Sequence, residues 1–111
     1  MDTTLLYEHL CQVKPVTHAQ LLAALNATVR ELCALYGEKY VLRDGALRPI
    51  TRVGQSPCIA EDYEGAVLDN LLYHATGEER YKTDFLAHAQ YAYHNLWRGR
   101  SAGRRIRREV W

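Results

Sequence analysis

The stretch THAQLLAALNATVRELCALYG, Thr17 to Gly37, decides the fold. Thr17 and Gln20 stand three apart, the spacing of a capping box, in which the threonine hydroxyl and the glutamine amide each satisfy an orphan N–H of the first turn. Val16 and Leu21 flank it as a hydrophobic staple. At helical spacing Leu21, Leu22, Leu25, Val29, Leu32, Cys33 and Tyr36 share one face, and Gly37 stands where a left-handed C-cap is expected. The opposite side carries Ala23, Ala24, Ala27 and Ala34 among Gln20, Arg30 and Glu31, a small-residue surface that another backbone could approach closely. A helix wanted on two sides is either central to its own domain or shared with a neighbouring chain.

Working outward, Thr3 or Thr4 is the expected cap of a short first helix through Leu5, Leu6, Leu10 and Val13, ended by Pro15, whose ring disfavours helical geometry at Lys14. The brief Lys14-Pro15-Val16 link predicts that this helix folds back on the central one. After Gly37 the texture changes. Lys39-Tyr40-Val41-Leu42 and Ala46-Leu47-Arg48 flank Arg43-Asp44-Gly45, and an Asp-Gly between short apolar runs is a hairpin signal. Pro49 confines the second strand to an edge or ends it. This segment reads either as a small excursion from a helical body or as an arm reaching toward a partner. Helix returns at Glu61-Asp62, acids suited to the positive end of the macrodipole, and continues to Gly77. A fourth helix starts at Glu78-Glu79 with a stripe of Tyr81, Phe85, Leu86, Ala89, Ala92, Tyr93, Leu96 and Trp97, and Gly99 is expected to end it.

The fold expected is therefore mainly α: a four-helix bundle-like domain over residues 1–99, with a small β-hairpin excursion between helices 2 and 3 near 39–58. An extended basic C-terminal tail follows over residues 100–111. A chain of 111 residues, 48% of them hydrophobic, suffices for one core without staples. Three cysteines, Cys11, Cys33 and Cys58, are odd in number and widely spaced, which predicts small buried thiols and not a disulfide framework. No apolar run reaches the roughly 18–20 residues that span a bilayer, and Met1-Asp2-Thr3-Thr4 lacks the pattern of a signal peptide. The expectation is a chain made and kept in a cytoplasm, with no membrane partner.

Metal and catalytic candidates are weak. His9 and Cys11 are two apart and diverge on a helix, and His74 and His88 could meet only across the last two helices. Glu61, Asp62 and Glu64, like Glu78 and Glu79, sit at helix starts where dipole compensation already explains them. No phosphate-cradling glycine loop or nucleophile elbow occurs. No enzyme, metal or cofactor is predicted.

The functional weight falls on the end of the chain. The net charge of +1 conceals +5 from Arg98 onward and −4 before it, and such asymmetry reports an interaction segment. Arg100, Arg104, Arg105, Arg107 and Arg108 surround Ile106, Val110 and Trp111. The set suits docking on an acidic protein surface with three apolar anchors; it also suits non-specific phosphate contacts with nucleic acid, or a merely solvated end.

The order of elements, with the long helix Leu21 to Tyr36, the extended excursion, the Ile59-Ala60-Glu61-Asp62-Tyr63-Glu64 entry into a helix and the aromatic-rich last helix, resembles the head-to-tail connector (adaptor) proteins of tailed bacteriophages. The arginine tail ending in Trp111 fits an adaptor whose C-terminus reaches into the portal. The resemblance implies a structural component of the phage neck, a dodecameric ring of this chain beneath the portal protein that extends the channel for genomic DNA. It would be assembled in the bacterial host cytoplasm and reside in the virion. On that implication Ala23, Ala27, Arg30 and Ala34 form a subunit interface, and Tyr40, Leu42, Arg43, Leu47 and Arg52 contact a neighbour or the next neck or tail protein. The tail docks on the portal. An acidic body suits a lumen that passes DNA without gripping it. The alternative is a small nucleic-acid-binding regulatory protein using the arginine-rich C-terminus.

Overall fold

A computed structural model describes the backbone of residues 1–109 and the side chains of residues 1–97. Among the described residues the chain is helical: α1 (Thr3–Val13), α2 (His18–Tyr36), a single turn α3 (Glu38–Val41), a 3-10 turn (Glu61–Tyr63), α4 (Glu64–Thr76) and α5 (Glu79–Glu109). The mainly α class holds. The β-hairpin does not form, since the described residues contain one isolated antiparallel bridge, Leu42 to Ile59, and no strand.

The capping box of α2 is present in both halves, with the Gln20 N–H donating to Thr17 Oγ1 at 3.1 Å and the Thr17 N–H to Gln20 Oε1 at 2.9 Å. Leu21, Leu25, Val29 and Leu32 are buried, while Leu22, Cys33 and Tyr36 pack at the core margin. Gly37 does close α2, its N–H donating to Cys33 O at 2.8 Å. Its φ of 88° and ψ of 147° are not left-handed helical values, however, and the chain turns straight into α3. Asp2, not Thr3 or Thr4, caps α1 by accepting from the Thr4 N–H. Thr3 is buried instead, its hydroxyl donating to Gln55 O at 2.9 Å and accepting from the Gly54 N–H at 2.6 Å. One side chain thus fastens the start of α1 to the 51–55 turn.

The hub of the bundle is α4, which touches α1, α2, the 3-10 turn and α5. Ala66, Val67, Asn70 and Leu71 are its buried residues. Gly77 ends it in the left-handed conformation (φ 76°, ψ 5°), donating to Tyr73 O at 2.7 Å, and α5 returns along it. The predicted α5 stripe divides: Phe85, Ala89 and Ala92 are buried and Leu96 packs on the core, whereas Leu86 and Trp97 stand partly in solvent. Leu96 is the last described side chain of α5 on the core. Gly99 does not stop the helix. It and Gly103 each cost only about 1 kcal/mol inside a helix, Ala102 and the arginines around them are good helix formers, and the backbone runs helical to Glu109 where an extended tail was expected.

The hairpin fails because its partners are taken. Lys39-Tyr40-Val41 winds into α3, with the Leu42 N–H donating to Glu38 O at 2.9 Å, and Val41 and Leu42 are both buried. The backbone beside Leu42 pairs with the segment before the 3-10 turn: the Arg43 N–H reaches Cys58 O and the Ala60 N–H reaches Val41 O, each at 2.9 Å. The intended second strand finds side chains. Asn26 on α2 donates to Ile50 O and accepts from the Ile50 N–H, both at 3.0 Å. Cys58 Sγ accepts from the Arg48 N–H at 3.3 Å and donates to Arg48 O at 3.4 Å. Residues 43–58 are therefore a pinned loop.

Asn26→Ala removes two part-buried hydrogen bonds and leaves the Ile50 backbone unpaired. The expected loss is about 1–3 kcal/mol in denaturant unfolding, with faster hydrogen exchange at the Ile50 amide. Within the same loop Arg48 donates to Asp44, and this bond, aided by the Ala46 backbone against slight desolvation, holds the Asp44 carboxyl below its ordinary value. Such a contribution is present above the unfolded-state carboxylate pKa and disappears as pH falls through the folded value. In NMR titration Arg48→Gln is expected to raise the Asp44 midpoint.

Candidate assembly surfaces

The alanine side of α2 is open. Ala23, Arg30 and Ala34 are exposed and Ala27 is half-buried. Because α1 is held away at its C-terminal end by Lys14-Pro15-Val16, a groove of about 390 Å³ lies between that link, α2 and α4. Val16, Ala23, Ala24, Ala27, Leu71 and Ala75 give it an apolar lining, with Lys14 and His74 as its ionisable residues. A hydrogen bond from Tyr7 Oη to Val16 O at 2.8 Å keeps the link in place. Ala23 and Ala27 are thus brought together here; Arg30 lies in a smaller hollow of about 70 Å³ with Leu47 and Arg48. Sequence reasoning placed Arg30 and Leu47 in separate surfaces, and the loop pinned by Asn26 makes them neighbours.

The other excursion residues scatter. Arg43 and Arg52 are exposed, and Arg43 reaches Pro57 O at 3.4 Å. Leu42, 1% exposed, belongs to the core and cannot meet a neighbour. Tyr40 is half-buried, its carbonyl accepting from Tyr63 Oη at 3.0 Å and its ring lying edge-on to Tyr93 with 5.4 Å between centroids. Tyr93 in turn stacks on Tyr36 at 4.7 Å. Burial, then the neighbouring Tyr93, raises the Tyr36 phenol above its ordinary pKa. Of the predicted tail, the backbone of Arg100, Arg104, Arg105, Ile106, Arg107 and Arg108 lies on α5, but their side chains, and the whole of Val110 and Trp111, are outside the described residues.

A polar cluster unforeseen from the sequence ties three helices together beneath the groove. Asn70, 0% exposed, donates to Thr28 Oγ1 at 2.8 Å and to Glu31. The Thr28 hydroxyl donates in turn to Ala24 O at 2.7 Å. Lys82 from α5 completes it, 3.4 Å from Asn70 Oδ1 and 3.5 Å from Glu31, and His74 lies 3.9 Å from the same carboxylate. The only signal was Asn70 beside Asp69 inside an otherwise apolar run, a pair that also suits a surface position. His88 pairs with Asp69 instead of meeting His74.

Chemically the site offers burial and fixed charge. Desolvation, with smaller contributions from Glu38 and Cys58, pushes the Cys33 thiol above its ordinary pKa, so the nucleophilic thiolate is disfavoured at neutral pH. Among the described residues no three His, Cys, Asp or Glu side chains are grouped to hold a metal ion, and no helix is long and apolar enough to cross a membrane. No protein-family model, curated protein sequence or solved structure matches the chain.

Asn70→Ala opens a void and takes one hydrogen-bond partner each from Thr28, Glu31 and Lys82, which keep the Thr28–Ala24 and Glu31–Lys82 contacts. Leaving such groups short of a partner costs about 1–3 kcal/mol, and a midpoint shift of that size is expected in urea. Asn70→Leu is expected to lose less stability but to broaden the NMR spectrum, because packing without the cluster specifies helix register less sharply.

Proposed function

We propose that this chain is a structural adaptor of a phage neck: copies assemble into a ring that seats on the portal protein through the arginine-rich end of α5 and carries the DNA channel toward the tail. The observation that carries the reading is the overrun of α5. The helix spans Glu79–Glu109, roughly 45 Å at 1.5 Å per residue, while its last described core contact is Leu96. Six arginines and one glutamate follow that point. A basic helical segment that continues from an acidic body suits insertion into a partner with an acidic surface. The open alanine side of α2 supports a second contact, between subunits.

The resulting chain would be a component of the virion. The nucleic-acid reading draws on the same arginines, and salt separates the two. Truncation after Gly99 is expected to abolish capture of the cognate portal protein in a pull-down while leaving the thermal unfolding of the body nearly unchanged. The full chain is expected not to shift duplex DNA at moderate salt. A shift whose affinity falls steeply with log salt, by roughly 0.9 per phosphate contacted, would sink the adaptor reading in favour of the regulator.

A further inference from the structure

Between Asp84 and Arg98 α5 contains no Asp, Glu, Lys or Arg. Much of this stretch faces solvent: Leu86 is 43% exposed, Tyr91 70% and Trp97 38%, with Ala87, Gln90 and His94 exposed beside them. A solvent-facing helix side ordinarily carries charge. Loss of charge with gain of aromatic and large apolar residues is the composition of an interface centre. This ridge shares no residue with the α1/α2/α4 groove, whose apolar lining is equally poor in charge. One chain therefore presents a convex uncharged surface and a concave one.

Of the two charged residues that bound the ridge, Asp84 and Arg98, the acidic one complements the groove. Asp84, exposed, opens the ridge and has no ion pair among the described residues; Lys14, exposed, stands on the groove in the same condition. The groove's other ionisable residue, His74, is also a base. We propose that the α5 ridge of one copy, centred on Leu86 and Tyr91, seats in the groove of a second copy, with Asp84 against the second copy's Lys14. The inference rests on the ring reading and names its two contacting surfaces. The alanines admit a helix at short range, and the Tyr91 ring fills the space they leave. A contact between different patches is heterologous, so each copy keeps one free ridge and one free groove, and the chain of contacts closes into a ring when the rotation permits.

Two exposed substitutions, Tyr91→Glu on the ridge and Ala23→Glu in the groove, test it by sedimentation velocity and mass photometry on the full chain, with circular dichroism melts as the folding control. Wild type is expected to form large closed assemblies. Each variant alone is expected to be monomeric, and an equimolar mixture to give dimers and nothing larger, because only one sound ridge meets one sound groove. As a second check Asp84→Lys should weaken assembly at least tenfold, and Lys14→Glu added to it should restore most of the loss. If wild type assembles and neither single variant changes it, this inference is overturned and the ring reading stands on other surfaces. If wild type remains monomeric up to about 1 mM, the pairing is overturned as well, and portal capture alone then decides the adaptor reading. Dimers that persist in both single variants, with no effect of mixing, would overturn it in favour of an isologous contact.

Discussion

A buried amide in the middle of the hub helix constrains everything packed around it. Asn70 is on the side of α4 that α2 and α5 both approach, and an unpaired amide there would cost about 1–3 kcal/mol. Each neighbour must therefore bring a polar group to one spot: Thr28 and Glu31 from α2, Lys82 from α5. A sliding of α2 by one turn would replace Thr28 with Ala24 or Leu32 and leave Asn70 unsatisfied. Apolar contacts such as Leu71 with the α2 leucines supply the driving force for packing, but they tolerate slippage more readily than a hydrogen bond does. The cluster thereby selects one arrangement among several of similar burial.

The loop between α3 and the 3-10 turn solves a related problem without regular structure. A segment that lies against a helical body still has to satisfy its backbone groups. Here the work passes to side chains whose geometry imitates a strand: Asn26 gives Ile50 one donor and one acceptor, Cys58 does the same for Arg48, and Thr3 receives the turn at Gly54. Asn26 and Thr3 come from distant helices, and Cys58 from the loop's own far end. The loop is consequently held as part of the body, and its exposed arginines are presented on a firm support.

That division explains what was legible beforehand. Helix boundaries governed by local chemistry were readable: the Thr17 capping box, the stop before Pro15, the Gly77 turn and the leucine face of α2 all depend on residues within one or two turns. The Asp-Gly signal at Asp44-Gly45 was also local, and Gly45 does take a positive φ. What it could not reveal is that Leu42 pairs with Ile59, because that choice depends on a segment 17 positions on. The Gly99 stop failed for the opposite reason, since two glycines, Gly99 and Gly103, were weighed above the helix formers around them. The alanine side of α2 was visible as a pattern, but only the position of Pro15 and Val16 against α4 made a groove of it, and Asn70 gave no sign of its partners until three helices were in place.

The partition of charge along α5 has a consequence for how the proposed assembly would be ordered. One side of the helix packs on α4 and the core, the outward side of its middle is uncharged, and its end is strongly basic. Contacts made by the uncharged middle bury apolar surface and depend little on ionic strength, whereas contacts made by arginines are screened over about 8–10 Å at physiological salt. One helix can then carry two attachments of different character without either competing for the same residues. Because the backbone is helical from the core through Glu109, the proposed portal contact and the proposed ridge lie on one continuous element. On the proposed reading, seating a ring on its portal would bias the orientation of the very ridges that join neighbouring copies, so the two contacts would reinforce each other through one helix.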